Sequence, residues 1–165
     1  MVEFKKISKA AIPAALDKAK RYRAINEPAQ AESIALDILA VEPENHEAEL
    51  MLILALTDQL KERMAAYNEV KTRIAELKSD YERAYYTGIL CERRARAHFR
   101  SEQMGSGFTA YEWFQRALRA FEEAEQLRPE GKDEPLYRWN SIQRTLLRHR
   151  SLQPEHADST PQMNE

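Results

Sequence analysis

One cysteine and four histidines are the residues here best suited to nucleophilic or metal chemistry, and their spacing favours neither. Cys91 and His98 stand seven apart, which brings two side chains to one helix face, but no Asp or Asn nearby completes a triad, so the thiol reads as structural. His46, His98, His149 and His156 never fall four residues from one another or from the cysteine, so a metal site has little support. The 27 acidic residues isolate no carboxylate pair for acid–base work. Gly105-Ser106-Gly107 precedes a helix start and can present N–H groups to an anion, with Arg94, Arg96 and Arg100 in reach. It lacks the spacing and Lys of a P-loop, and a connector between helices explains the same glycines. The run Arg93-Arg94-Ala95-Arg96-Ala97-His98-Phe99-Arg100 offers cations to phosphates, or equally the solvated end of a helix whose C-terminal dipole favours positive charge. No enzyme, cofactor, metal or small-molecule substrate is expected.

Such residues need elements to position them, and composition points to helix alone. The 165 residues suit one domain. They are 32% charged with only four Gly, and no window alternates as a half-buried strand must. A formal net charge of −2 argues against a dedicated nucleic-acid binder. Charge is nonetheless uneven: residues 1–23 hold seven bases against two acids, 137–150 hold four Arg and no acid, and 121–134 hold six acids against two bases. A lone cysteine fits a reducing compartment, and the cytoplasm is expected. Pro13 and Asp17 break the stretch after Lys5, Lys6 and Lys9 too early for a signal peptide, and the apolar run 50–56 is too short to span a bilayer.

Proline and asparagine punctuation with 3.6-residue periodicity predicts seven helices over 12–25, 28–41, 46–58, 60–78, 80–100, 109–128 and 134–150. Pro28 suits a first helical turn, Asn45 an N-cap, and Ser79 with Glu82 and Thr109 with Glu112 are capping-box signatures. The third helix is apolar all round and must be buried on both faces. The fourth carries Leu60, Met64, Tyr67, Ile74 and Leu77 on one face, the seventh Leu136, Trp139, Ile142 and Leu146 with Arg144 and Arg148 opposite. Residues 1–11 form an extension, and the polar segment 151–165, with Pro154 and Pro161, is expected to be disordered.

The helix pairs repeat. Ala31, Ala35, Ile38 and Pro43 follow at steps of four, three and five, and Ala117, Phe121, Ala124 and Pro129 take the same steps. Ala19 and Tyr22 precede the first set, as Tyr85-Tyr86-Thr87-Gly88 precedes the second. In this the chain resembles the tetratricopeptide repeat family, whose unit of about 34 residues carries small residues where paired helices approach and a knob beside them. Ala19 and Gly88 match the small first-helix position, Ala31, Ala65 and Ala117 the small second-helix position, Phe121 the knob and Tyr22 the buried aromatic that Cys91 replaces. The family Trp is replaced by Ala15, Glu49 and Ala84. The third unit carries 17 extra residues, since Cys91 to Ala117 spans 26 where Tyr22 to Ala31 spans nine.

The resemblance covers 12–150 and implies an all-α, right-handed solenoid of three pairs (12–45, 46–80, 81–132) closed by a capping helix over 134–150. It further implies a non-catalytic adaptor that takes a peptide or helix of another protein on the inward face of its first helices. The matching positions are Leu16, Lys20 and Arg23, then Glu47, Leu50 and Leu54, then Glu82, Tyr85, Ile89 and Arg93. Residues matching the family's carboxylate clamp are Leu16, Lys20, Met51, Glu82 and Tyr86, so a chaperone-tail adaptor is not implied. Two other readings stay open: a nucleic-acid-associated repeat protein using its Arg-rich helix ends, and a small enzyme with a site near the 101–110 connector.

Overall fold

The computed structural model describes residues 2–101 and 103–154. After one 3₁₀ turn, Lys9–Ala11, seven α-helices follow among these residues and no strand: α1 Ile12–Ala24, α2 Pro28–Val41, α3 His46–Asp58, α4 Ala66–Glu76, α5 Asp80–Phe99, α6 Ser106–Leu127 and α7 Glu134–Arg148. Local chemistry sets most boundaries. Asn26 takes a left-handed φ of 62° and ends α1, and Pro28 opens α2 where its missing N–H costs nothing. Asn45 Oδ1 accepts the Ala48 N–H at 2.9 Å, and Ser79 Oγ accepts that of Glu82 at 3.2 Å.

Two boundaries differ from expectation. Residues 59–65 form successive turns rather than the start of α4: Gln59 donates to the Ala55 carbonyl at 3.0 Å and to Glu32 at 2.6 Å, and Arg63 reaches Glu32 at 2.8 Å. Leu60 is buried there, Met64 points outward, and the small buried residue at the head of α4 is Ala66, while Ala65 is exposed. Thr109 and Glu112 form no capping box. They lie inside α6, which starts at Ser106 after Gly105 turns the chain with φ of 79°. Most of the 17 extra residues of the third unit are therefore helix, in an α5 of 20 and an α6 of 22 residues against 13 and 14 in the first pair.

Each helix packs against the next in the chain, and α3 also packs against α1 and α5. α3 is apolar on every side for that reason, with Met51, Leu52, Ile53, Ala55 and Leu56 all buried. Ala19, Ala31 and Ala35 are fully buried where the first pair closes up. In the third pair Phe121 lies against Gly88, where a Cβ would sit 2.6 Å from the ring, while Ala117 and Ala124 are fully buried beside it. The extension of this pair has its own core of Ala95, Ala110, Phe114 and Leu118, covered by Ile142 of α7 and by Leu152 beyond it. Of the segment 151–165 expected as a tail, 155–165 lies outside the described residues. Leu152 is buried, and Gly107 admits the Ser151 carbonyl where a Cβ would clash at 2.5 Å. No helix among the described residues is long and apolar enough to cross a membrane.

Candidate functional site

Arg23 of α1, Leu50 and Leu54 of α3, and Tyr85 and Ile89 of α5 line one concavity of about 340 Å³. Tyr81, Glu82 and Tyr86 of α5 complete that wall, and Lys132, Glu134 and Arg138 close it from the α7 side. One wall is built of tyrosines: Tyr85 stacks on Tyr81 at 5.9 Å and 10°, meets Tyr86 edge-on at 5.2 Å, and is backed by Phe121 at 5.9 Å. Burial, reinforced by Glu134, pushes the Tyr81 hydroxyl up to about 12, and burial raises Tyr86 further. Both phenols are neutral hydrogen-bonding groups at physiological pH.

The charges around the concavity form two triads in which two arginines share one carboxylate. Asp58 at the end of α3 takes Arg23 Nε at 2.6 Å and Arg93 Nη2 at 3.1 Å. Glu92, 2% exposed, takes Arg96 at 2.8 Å and Arg138 at 3.3 Å. Each triad leaves one net positive charge beside the apolar floor. Arg93 is thus committed internally: Asp58 holds it, burial disfavours its charge more than Asp58 offsets, and its Nε is buried without a partner. Lys20 lies outside the concavity, exposed and paired with Glu47 at 3.5 Å. The concavity thus gathers five of the seven expected groove residues and does not include Lys20 and Arg93.

Sequence reasoning missed Asp58, Glu92 and Arg138. Glu92 and Arg96 at i, i+4 were a visible pair. Arg138 required knowing that α7 packs back against α6.

The other candidates disperse. Cys91 is buried, and burial pushes its thiol pKa up, which disfavours the reactive thiolate. His98 has a buried Nε2 with no partner, His149 packs edge-on against Phe99 at 4.9 Å, and His46 meets Glu82 at 2.9 Å. His156 lies outside the described residues. The basic run fans out, Arg93 to Asp58, Arg96 to Glu92, and Arg94 onto the rings of Tyr67 and Trp113. Within the 101–110 connector residues 103–105 turn and 106–110 are helix, and the Ser106 hydroxyl donates to the Ser101 carbonyl at 3.0 Å. Trp139 donates to Glu122 at 3.0 Å, and Arg144 and Arg148 are exposed. A larger depression of about 500 Å³ lies at the α2–α3 and α4–α5 turns, but its Arg73–Glu49 and His46–Glu82 pairs already satisfy one another. No family model, curated protein or solved structure matches the chain.

Proposed function

We propose that the chain is a non-catalytic interaction module of the tetratricopeptide kind, three helix pairs in a right-handed solenoid closed by α7, working in the cytoplasm. It takes an apolar peptide or helix bearing acidic residues, supplied by a partner protein, in the concavity of its inner helices. The observation that carries this reading is convergence: residues from α1, α3 and α5, 66 positions apart from Arg23 to Ile89, line one hollow. Leu50, Leu54 and Ile89 offer its apolar floor, Tyr85 an aromatic anchor, and the two arginine triads a net positive border.

The test is affinity capture from the source cell followed by titration of the captured partner. Leu50→Ser and Tyr85→Ala should each weaken binding by about 1–3 kcal/mol, roughly five- to 150-fold, the range of a moderate hot spot. Arg144→Glu with Arg148→Glu, on the exposed face of α7, should leave it unchanged. Full binding by both groove variants, with loss in the α7 variant, would move the function to the basic ends.

A further inference from the structure

Away from the concavity, α4, α5 and α6 build a second assembly that the groove does not use. The guanidinium of Arg94 lies over two rings at once, with its Cζ 4.3 Å from the Tyr67 centroid and 4.1 Å from that of Trp113. Tyr67 and Trp113 meet edge-on at 5.8 Å, and Arg116, one turn along α6, places its own Cζ 4.3 Å from the Trp113 ring. Cations therefore alternate with aromatic rings across three helices.

Two cations of this assembly, Arg94 and Arg116, rest on rings rather than on carboxylates. Arg23, Arg63, Arg73, Arg83, Arg93, Arg96, Arg128 and Arg138 all pair with carboxylates. Among the described residues Lys71, Arg94, Arg116 and Arg119 pair with none, as do other exposed cations such as Arg21, Lys61 and Arg144. Glu112 lies four residues before Arg116 and does not reach it, and Glu69 is taken by Arg73 at 3.1 Å. Lys71 stands one turn beyond Tyr67 on α4, and Arg119 one turn beyond Arg116 on α6, so both extend the same helix faces. Stacking holds the Arg94 plane in place without consuming its Nη donors, and its buried Nε has no partner. Lys71, Arg116 and Arg119 are exposed.

We propose that this face binds single-stranded nucleic acid, its phosphates received by Lys71, Arg94, Arg116 and Arg119 and a base laid against the exposed Arg116 guanidinium on Trp113. A single strand supplies both phosphates and open ring faces, the combination that guanidinium–aromatic stacks recognise. A peptide of acidic residues would use the charges and leave the stack idle. The net charge of −2 gives no broad attraction, so binding rests on this cluster and a strand of a few nucleotides.

The test is fluorescence anisotropy of a labelled ten-nucleotide uridine oligomer with the full chain. Binding is expected in the range of about 1–100 µM at roughly 50 mM salt, with a log–log salt slope of about −3 for four displaced counterions. Arg116→Gln with Arg119→Gln, both exposed, should keep the thermal midpoint, weaken binding about tenfold or more, and reduce the slope to about −1.5. Leu50→Ser in the groove should bind the oligomer as the native chain does, so this site and the groove fail or succeed separately. Absent binding, binding indifferent to the Gln pair, or equal displacement by polyglutamate would each overturn the proposal, the last in favour of an acidic protein.

Discussion

Where the α1–α2 pair closes up, its buried residues are Ala19, Ala31 and Ala35; at the matching positions of α5–α6 they are Gly88, Ala117 and Phe121. Both pairs follow the same steps along their second helices, so they share one plan for bringing two backbones together. The volume is distributed differently. The first pair divides it between two methyl groups, whereas the third removes a Cβ from one helix and spends the space on a ring from the other. Small residues at a helix crossing are thus exchangeable only as sets, because the interior is packed to solid density and a change on one wall must be met on the other. The pairs also differ in reach. The longer third pair carries a core that the second pair cannot cover, and α7 with Leu152 takes that role.

The sharpest way to break this comparison is to empty the knob. Phe121→Ala should cost about 3–5 kcal/mol, since the ring is 1% exposed and leaves a cavity against a glycine that cannot fill it. Ala35→Gly at the matching place should cost about 1 kcal/mol, mostly through helix propensity. Urea midpoints of the two variants measure the contrast, and equal losses would mean that the volume is not distributed differently between the pairs.

A smaller effect sharpens the same point from the other wall. Gly88→Ala should cost about 1–3 kcal/mol as overpacking, offset in part by the gain of alanine in a helix. In a Phe121→Leu background the penalty should shrink or change sign, because the colliding ring edge is gone. Additive losses in that cycle would show that the two residues do not compete for space.

The smallest effect separates the pairs by pH. No histidine lies between residues 12 and 41, whereas His98 in α5 has its pKa lowered by burial and by the neighbouring Arg94. A histidine held neutral in the fold takes up its proton first in the unfolded chain. Its contribution is intact above the unfolded value of about 6.5 and is lost as pH falls below it. Relative to His98→Gln, the native protein should lose thermal stability between about pH 7 and 5, with faster amide exchange in the α5–α6 extension than in α1–α2. Parallel curves for the two proteins would remove His98 as the cause.

Local rules made much of the fold legible. Pro28, Asn45 and Ser79 act on backbone groups within three residues of themselves, so their helix starts follow from sequence alone, as does the burial of α3 from its unbroken apolar face. The second capping box failed because the same residue types suit a helix interior when Gly105 supplies an earlier start. Nothing between Gln59 and Ala65 is a turn residue by type. The break there is held by Glu32 of α2, a partner 27 residues from Gln59. Ala65 and Ala66 exchange roles as a result.

For the candidate site, the resemblance to the tetratricopeptide pattern implied Arg23, Leu50, Leu54, Tyr85 and Ile89 as inward positions, and the helix face that a residue occupies is a property of one segment. Whether a cation on such a face is free to meet a partner is not. Arg93 is bound by Asp58 from another helix, and Glu92 gathers Arg96 and Arg138 across 46 residues. By itself the sequence determined seven helices, most of their ends and the buried stripe of each, since those depend on backbone sterics, caps and the 3.6-residue period. Only the tertiary structure decided that most of the extra 17 residues lengthen two helices, which arginines share a carboxylate and which rest on aromatic rings. Those outcomes depend on side chains distant in sequence meeting at interaction ranges of about 3–6 Å, which no local pattern encodes.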